Sequence, residues 1–370
     1  MIVTDVLVTH YRVPRNVWWP EGPIGASQYE ISHFELVICE VNTSEGARGV
    51  GFTYTVGQGG SAVLALLRDE IAPLLLGREL HDVEVIWREL HEKLHFVGAA
   101  GVTAMAIAAA DTALWDALAC AAGLPLYRYL GAHRSEIPAY ASAVNLALPI
   151  DTLAQQMADY RNQGFSAVKM KVGRSLREDV DRVRAVRAAI GDECELFVDA
   201  NMAWDLTEAV RRLRAFAPYE IAWLEEPLPP HDIRGYALLQ QSAEVPLAAG
   251  ETLFTPHEFS AYFRVGAIRI PQPDVIRLGV TGWRQVARST LEWSLPLAPH
   301  FIPEIHVHLA CTVPNALNLE YLPLFERLLE TPIEIRAGIA RPIDAPGHGL
   351  RFRYEILKPY LVEAKEAALQ

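Results

Sequence analysis

Three carboxylates at even spacing follow short apolar runs in the middle of the chain. Asp199, Glu225 and Glu251 lie 26 residues apart, one after each of three consecutive strand candidates. If those strands are parallel neighbours, their carboxyl ends meet at one rim, and the three acids converge there. Gathered carboxylates repel one another, and a hard divalent cation with oxygen ligands relieves that repulsion. The spacing therefore predicts a Mg²⁺ site.

Other interpretations of these acids exist. A single carboxylate after a strand often pairs with arginine or caps a helix, but three at even spacing favour a metal. Zinc is disfavoured because His300, His306 and His308 share one segment and the cysteines are dispersed. Oxygen ligands alone do not separate Mg²⁺ from Mn²⁺ or Co²⁺.

Two basic groups flank the acids in the same series of strand ends. Lys169 and Lys171 follow the preceding strand candidate and, two residues apart, point the same way. Like charge and burial both lower a lysine pKa, which predicts a neutral amine that acts as a base. Asp274 and His300 end the sixth and seventh candidates, where the carboxylate would orient the imidazole as a second base. A solvated lysine pair or a structural histidine is the alternative for either feature alone.

A divalent cation between two opposed bases suits removal of a proton α to a carboxylate. The product of that step is an enediolate with two negative charges, which the cation stabilises. Glu320 lies near the end of the eighth strand candidate. If it is protonated among so many anions, it can donate a hydrogen bond to a substrate carboxylate oxygen. Lys169 would offer a cation at the same end.

Eight short apolar runs separated by helical stretches would position these residues. Consecutive runs start about 20 to 30 residues apart, the length of one strand-helix unit, and favour a closed (β/α)8-like barrel. The chain has no GxGxxG or GxxxxGK[ST] motif, which argues against an open nucleotide-binding sheet. The predicted strands are residues 137–142, 167–172, 196–199, 222–225, 247–250, 268–271, 295–298 and 316–319.

The regions on either side of the barrel have other patterns. Strand-like alternation up to about Val56 gives way to helical periodicity from Ser61 to Gly123, which predicts an α+β domain. The last segment contains a strand-like run at residues 350–354 and would return to cover that domain. We predict boundaries at residues 1–135, 136–323 and 324–370.

Composition narrows the class of protein. The 370 residues are 51% hydrophobic and 21% charged, enough apolar material for a sizeable core. A net charge of −12 argues against nucleic acid as a partner but allows an anionic substrate in a local pocket. Residues 99–123 are apolar but carry Asp111 and Asp116, so we expect a buried helix and no membrane span. With no recognisable signal peptide, a cytoplasmic location with four reduced cysteines is expected.

These residues, taken in order, resemble the mandelate racemase subgroup of the enolase superfamily. The resemblance covers most of the chain, and the ordered set is far more specific than any one motif. Its motifs are 168–172 (VKMKV), 198–201 (VDAN), 223–227 (WLEEP), 249–252 (AGET), 273–274 (PD), 279–283 (GVTGW), 299–300 (PH) and 319–320 (LE).

The resemblance implies a fold and a set of roles. The fold is a modified TIM barrel, (β/α)7β, under an α+β capping domain that the C-terminal tail completes. Mg²⁺ would be bound by the three acids, with Lys171 as one acid/base and the Asp274–His300 dyad as the other. Lys169 would lower the Lys171 pKa and contact substrate, Glu320 would hydrogen-bond the substrate carboxylate, and Asn201 would border the metal. A homo-oligomer, octamer or smaller, is also implied.

The resemblance implies that two loops of the capping domain, residues 12–28 and 53–60, determine which substrate is bound. The candidate contacts are Arg15, Trp18, Trp19 and Tyr54, although the two tryptophans are equally explained by packing on a neighbouring domain. Most members with this pair of bases dehydrate an aldonate or aldarate to a 2-keto-3-deoxy acid, which is the expected reaction.

Two alternatives remain. A racemase or epimerase of a 2-hydroxy acid uses the same bases and would be favoured by an apolar pocket of Trp18, Trp19 and Tyr54. Polar loop residues argue for a sugar acid instead. These are Arg12, Arg15, Asn16 and Gln58. A non-catalytic sugar-acid binder would not need two opposed bases.

Overall fold

The computed structural model describes residues 1–19 and 32–369. Three long antiparallel strands open the chain: β1 (Val3–Pro14), β2 (His33–Thr43) and β3 (Arg48–Val56). Alternate side chains of β2 and β3 share a face, since Phe34 pairs with Val56 and Leu36 with Tyr54. That face carries an aromatic cluster toward the barrel. Residues 20–28 of the first predicted substrate loop lie outside the described residues.

The capping domain also contains helices. The first of them lies between β1 and β2, and the others follow β3. They are α1 (Arg15–Trp18), α2 (Gly60–Ala65), α3 (Ala72–Leu75), α4 (Val83–Lys93), α5 (Val102–Ala121) and α6 (Leu126–Tyr129). A π-helical turn at Leu66–Ile71 and 3₁₀ turns at Leu80–Asp82 and His95–Val97 connect them.

Helix α5 is the core helix of this layer. It is long and apolar enough to cross a membrane by length and composition, but 89% of its apolar window is buried inside the protein. Gly49 and Gly51 of β3 let the helix approach closely, since a Cβ at Gly51 would lie 2.0 Å from the Ala109 carbonyl oxygen. The predicted buried helix is therefore present.

Parallel strands form the second layer. They are β4 (Ile137–Ser142), β5 (Ala167–Lys171), β6 (Glu195–Asp199), β7 (Ile221–Glu225), β8 (Leu247–Ala249), β9 (Ile270–Pro271) and β10 (Leu319–Tyr321). Strands β4 to β9 pair in sequence order, and β10 pairs with β4 from the other side. The predicted α/β class and modified TIM barrel with a capping domain are confirmed.

The predicted seventh and eighth strands need correction. Residues 295–298 form no ladder, and only Leu297 makes a parallel bridge, to Ala316. The Ala298 amide also donates to the Pro271 carbonyl oxygen at 3.1 Å. The last strand begins at Leu319 rather than at residue 316. The barrel wall is thus weakest between β9 and β10, where an apolar run packs without extended pairing.

Helices connect the barrel strands. They are α7 (Ile150–Asn162), α8 (Leu176–Ile190), α9 (Leu206–Phe216), α10 (Ile233–Ser242), α11 (Pro256–Arg264), α12 (Val275–Glu292) and α13 (Pro303–Ala310), with a 3₁₀ turn at Ala217–Tyr219. Capping boxes begin α8 and α11, where Ser175 pairs with Glu178 and Thr255 with Glu258. Helix α12 is kinked at Gly279, whose φ is 64°.

The C-terminal segment returns to the capping domain. It contains β11 (Ile335–Arg336), β12 (Ile339–Ala340), α14 (Tyr354–Leu357) and β13 (Leu361–Ala368), with 3₁₀ turns at Glu326–Leu328 and Lys358–Tyr360. Strand β13 pairs antiparallel with β1 and extends the sheet to the order β13-β1-β2-β3. The strand predicted at residues 350–354 is wrong. There Leu350 and Phe352 alternate because they pack inward, with Phe352 against Phe52, and only Phe352 makes a bridge.

Candidate active site

The three evenly spaced carboxylates meet at the carboxyl rim of the barrel. Asp199 and Glu225 are the last residues of β6 and β7, and Glu251 follows β8 by two residues. One carboxylate oxygen from each lies within 4.8 Å of the other two. Asp199 and Glu225 are buried and Glu251 is half-buried. The predicted convergence is present in the structure.

The backbone turns sharply where these strands end. Asn201 and Glu226 have φ values of 43° and 37°, in the left-handed region that non-glycine residues rarely adopt. Gly250 has φ 144°, and a Cβ there would lie 2.7 Å from the Phe259 ring. These turns bring the acids to the rim. Asn201 also donates its backbone N–H to Asp199 Oδ1 at 2.8 Å, so it borders the acid cluster.

Both lysines of β5 point into the acid cluster. The Lys171 ammonium donates to Asp199 Oδ2, and Lys169 Nζ donates to Glu225 Oε1 at 2.6 Å. Lys169 also pairs with Glu320 Oε1 at 2.8 Å and is 1% exposed. The pairing register of β5 with β6 aligns Lys171 with Asp199, which accounts for the direct contact.

The neutral form of Lys171 stays a prediction, and the charges around this side chain act on its pKa in both directions. Burial lowers its pKa, and Lys169 lowers it further, as expected. The neighbouring Asp199 carboxylate raises it, however, and the net pKa lies above the ordinary lysine value. The pKa of Lys169 is also raised, because Glu225 and Glu320 outweigh its burial. The nearby carboxylates therefore favour the ammonium form of both side chains.

The role of Glu320 as a hydrogen-bond donor also stays a prediction. Burial raises its pKa, but Lys169 and then His300 outweigh burial and hold that pKa well below its usual range. Its Oε2 accepts the backbone N–H of Phe301 at 2.9 Å. Glu320 thus pairs with Lys169 and accepts the Phe301 N–H, and the nearby positive charges favour its ionised form.

Asp274 and His300 form the predicted dyad. Their Oδ2 and Nδ1 atoms are 2.8 Å apart, and Asp274 Oδ1 accepts the Ile276 backbone N–H at 3.0 Å. His300 Nε2 faces Glu251 Oε2 at 3.4 Å. Burial lowers the pKa of His300, but Glu251 and Asp274 raise it to about 10 overall. The imidazole is therefore protonated at neutral pH.

The candidate substrate contacts divide into two groups. Tyr54 is half-buried on β3 and packs edge-to-face on Phe301, with ring centroids 5.9 Å apart, so it reaches the rim beside His300. Trp18 is 2% exposed and packs on Phe34 with ring centroids 4.0 Å apart, which favours the packing interpretation. Its substrate role stays a prediction. Trp19 and Arg15 are half-buried and remain candidates.

Sequence reasoning missed three groups at the site. Gln272 and Trp223 donate to Glu225 Oε2 at 2.8 and 3.2 Å, and Asn145 Oδ1 accepts the Lys171 backbone N–H at 2.9 Å. Gln272 and Asn145 both follow apolar strands, so the strand-end rule used for the acids would have found them. Trp223 lies within a strand and carries no such signal.

Comparison with known proteins agrees with this geometry. Residues 9–131 match the mandelate racemase/muconate lactonizing enzyme N-terminal domain, and residues 152–356 match the enolase C-terminal domain-like family. The chain belongs to the mandelate racemase/muconate lactonizing enzyme group of the enolase superfamily. The resemblance seen in the motifs is thereby confirmed.

Several relatives are named as enzymes of sugar acids. It is 36% identical over 350 residues to the 3,6-anhydro-alpha-L-galactonate cycloisomerase of Streptomyces coelicolor, covering 94% of this chain and 96% of that protein. It is 35% identical over 328 residues to the L-talarate/galactarate dehydratase of Salmonella typhimurium, covering 88% and 82%. The L-talarate dehydratase of a Polaromonas species, solved with Mg and L-glucarate, superposes with a TM-score of 0.93 at 33% identity over all of both chains.

Proposed function

We propose that this enolase-superfamily protein is a Mg²⁺-dependent dehydratase of an acid sugar, an aldonate or aldarate. The observation that carries the proposal is the convergence of Asp199, Glu225 and Glu251 between Lys171 and His300. Relatives that dehydrate such acids support it. A small-molecule carboxylate is the substrate class.

The acid cluster suits a hard divalent cation. Its donor set is three carboxylates within 4.8 Å of one another, and Glu251 Oε2 is buried without a hydrogen-bond partner among the described residues. Asp199, Glu225 and Glu251 would hold Mg²⁺, which supplies positive charge to the carboxylate oxygens of the substrate as negative charge develops there. The bound magnesium in the Polaromonas structure supports this choice.

Lys171 and His300 are the proposed acid/base pair. Lys171 acts as a base after its ammonium loses a proton, which the adjacent Lys169 charge favours. It then takes the proton from the α-carbon, leaving the enediolate. His300, held as an imidazolium by Asp274, donates a proton to the 3-hydroxyl as that carbon–oxygen bond breaks. Water leaves, and the enol becomes a 2-keto-3-deoxy acid.

Lys169 and Glu320 form the carboxylate-binding end of the site. Lys169 lies between Glu225 and Glu320, from which its ammonium can reach a substrate carboxylate. We propose that Glu320 orients this ammonium. Its predicted hydrogen bond to the substrate carboxylate requires the protonated form. Asn201, Tyr54, Trp19 and Arg15 remain proposed substrate contacts.

A racemase or epimerase of a 2-hydroxy acid is the second candidate. The aromatic cluster at the rim favours it, because Tyr54 packs on Phe34, Phe301 and Phe325 with centroids 5.1 to 5.9 Å apart. Such rings suit a substrate with an aryl or alkyl group. Two opposed bases would be superfluous in a sugar-acid binder.

A substrate screen separates these candidates. The purified protein is incubated with Mg²⁺ and a library of aldonates and aldarates, and 2-keto-3-deoxy acids are assayed. Turnover of any library member supports dehydration. No turnover across the library, together with racemisation of an aryl or alkyl 2-hydroxy acid, would replace the dehydratase with the second candidate.

We further propose that the enzyme works in the cytoplasm as a homo-oligomer, octamer or smaller. Buried α5 and the net charge of −12 support an enzyme that acts away from membranes and nucleic acid. Light scattering coupled to size-exclusion chromatography measures the assembly. A monomer at micromolar concentration would contradict the oligomer.

A further inference from the structure

His306 lies on α13, which begins three residues after His300. Its side chain is fully buried, and both ring nitrogens have partners. The Val275 backbone N–H donates to Nε2 at 3.0 Å, and Nδ1 bonds to the Phe301 carbonyl oxygen. Val275 follows Asp274 and Phe301 follows His300, so one imidazole joins the two segments that carry the dyad.

The partners fix the tautomer of this ring. A backbone N–H only donates and a carbonyl only accepts, so Nε2 is the bare nitrogen and Nδ1 carries the proton. Burial lowers the pKa of His306 to about 4 overall. The ring is therefore neutral at neutral pH, and both hydrogen bonds are retained.

Apart from the dyad contact itself, two backbone hydrogen bonds also connect the segments joined by His306. One of them, from the Ala298 N–H to the Pro271 carbonyl oxygen at 3.1 Å, lies before the dyad. The His300 backbone N–H donates to the Pro273 carbonyl oxygen at 3.3 Å, which is a long hydrogen bond. Phe301 and Ile302 have φ values of 48° and 40°, a strained conformation that needs surrounding contacts to persist. His306 bonds to the carbonyl of the first of these residues.

We propose that His306 is a positioning residue that sets the distance and orientation of the Asp274–His300 pair. It contacts neither member and acts through the peptide groups that follow them. The dyad distance of 2.8 Å leaves little tolerance, since a displacement of about 1 Å breaks a hydrogen bond and reduces catalysis by about 10²-fold. The catalytic consequence rests on the proposed function, whereas the two hydrogen bonds do not.

Three substitutions test the two hydrogen bonds of His306 separately. In His306→Asn the amide nitrogen occupies the place of Nδ1 and retains the bond to Phe301 but loses the acceptor for Val275. In His306→Gln the amide oxygen occupies the place of Nε2 and retains the acceptor for Val275 only. His306→Leu loses both. His308→Asn is the matched control, because His308 is equally buried on the same helix but accepts the Tyr127 N–H, away from the dyad.

Hydrogen–deuterium exchange of the substrate-free protein tests the contact itself. Peptides that include Val275 should exchange faster in His306→Asn and His306→Leu, and at the wild-type rate in His306→Gln and His308→Asn. Unchanged exchange in all four variants would overturn the proposed contact, whatever the enzyme does with substrate.

Exchange of the substrate α-hydrogen with D₂O tests the positioning role. With each of two α-epimers, His306→Leu should lose about 10²-fold on the face served by His300 and retain the Lys171 face, with KM within about twofold. On that face, the exchange rates of His306→Asn and His306→Gln should lie between those of His306→Leu and the wild type. Equal loss on both faces would overturn positioning in favour of general destabilisation. Absence of exchange by the wild type with every acid would defeat the proposed function, while the exchange result at Val275 would still decide the contact.

Discussion

The two sides of the active site are built differently. On the lysine side, β5 pairs with β6 in continuous register, and this ladder places Lys171 against Asp199. Strand β6 pairs with β7 up to Asp199 and Glu225, with one register shift between Leu196 and Phe197. On the histidine side, β9 has two residues and the next segment makes a single bridge at Leu297. Hydrogen bonds from the side chains of Asp274, His300 and His306 therefore connect the segments where strand pairing is short. In this barrel, strand pairing positions the catalytic groups on the lysine side, and hydrogen bonds from side chains position those on the histidine side.

The capping domain also supports the histidine side. Thr53 of β3 donates its hydroxyl to the Ile276 carbonyl oxygen at 3.1 Å, and the Ile276 N–H bonds to Asp274 Oδ1. Further along α12, the Thr281 N–H and hydroxyl donate to Asp111 of α5 at 2.8 and 2.6 Å. The kink at Gly279 provides the space, because a Cβ there would lie 2.5 Å from Asp111 Oδ2. The capping domain thus holds the segment after Asp274 at two points.

Removing either base should give the largest effect. Lys171→Ala and His300→Asn should each reduce α-hydrogen exchange by about 10³-fold on one face only, because general acid–base groups contribute 10²–10⁴-fold. The measurement is incorporation of deuterium from D₂O into each of two α-epimers. Equal loss on both faces in either variant would defeat the assignment of opposed bases.

Asp274→Asn should give the second-largest loss of activity. The amide no longer stabilises the imidazolium, and His300 loses its orienting partner at 2.8 Å. We expect about a 10²-fold loss of kcat in dehydration, with KM little changed. Glu84→Gln is a control, since this exposed carboxylate pairs only with Arg284 on the surface among the described contacts. A kcat equal to wild type in Asp274→Asn would show that the dyad has no catalytic role.

Thr53→Val should have a smaller effect on the same side. It leaves the Ile276 carbonyl oxygen without its buried donor, which costs about 1–3 kcal/mol. We expect kcat to fall by about fivefold to tenfold and the unfolding midpoint in urea to decrease. Thr53→Ser retains the hydroxyl and should recover most of kcat. If Thr53→Val and Thr53→Ser have the same kcat, the Thr53 hydroxyl does not support the dyad.

Asp111→Asn should change the pH dependence of stability and leave the chemistry nearly intact. Burial raises the pKa of Asp111 to about 7, although Thr281 lowers it. The folded protein therefore retains a proton that the unfolded chain releases near pH 4, so this residue contributes less stability as pH rises from about 4 to about 7. The free energy of unfolding of the variant, relative to wild type, should increase over that range. A constant difference between pH 4.5 and 7.5 would show that Asp111 is ionised throughout.

Much of the site follows from sequence, and its charge states do not. Asp199, Glu225 and Glu251 are recognisable because strand ends of a barrel share one rim, a property of topology alone. The pKa values of Lys171 and Glu320 depend on which charges lie nearest in space. For Lys171, the Asp199 carboxylate on the next strand outweighs Lys169, which lies two residues away in sequence.

The sequence also did not predict which apolar runs form paired strands. An apolar run such as residues 295–298 looks the same whether it forms a ladder or only packs. The alternation at residues 350–354 reflects inward packing, while the true strand β13 is mostly exposed and carries no clear pattern. His300 and His306 share one segment, and only their partners in space separate the member of the dyad from the residue that supports it.

Anomalous diffraction from crystals soaked in Mn²⁺ tests the central claim most directly. The account predicts one strong peak within about 2.3 Å of an oxygen from each of Asp199, Glu225 and Glu251, with Lys171 Nζ and His300 Nε2 on opposite sides of it. A peak elsewhere, or both bases on one side of the ion, would contradict it.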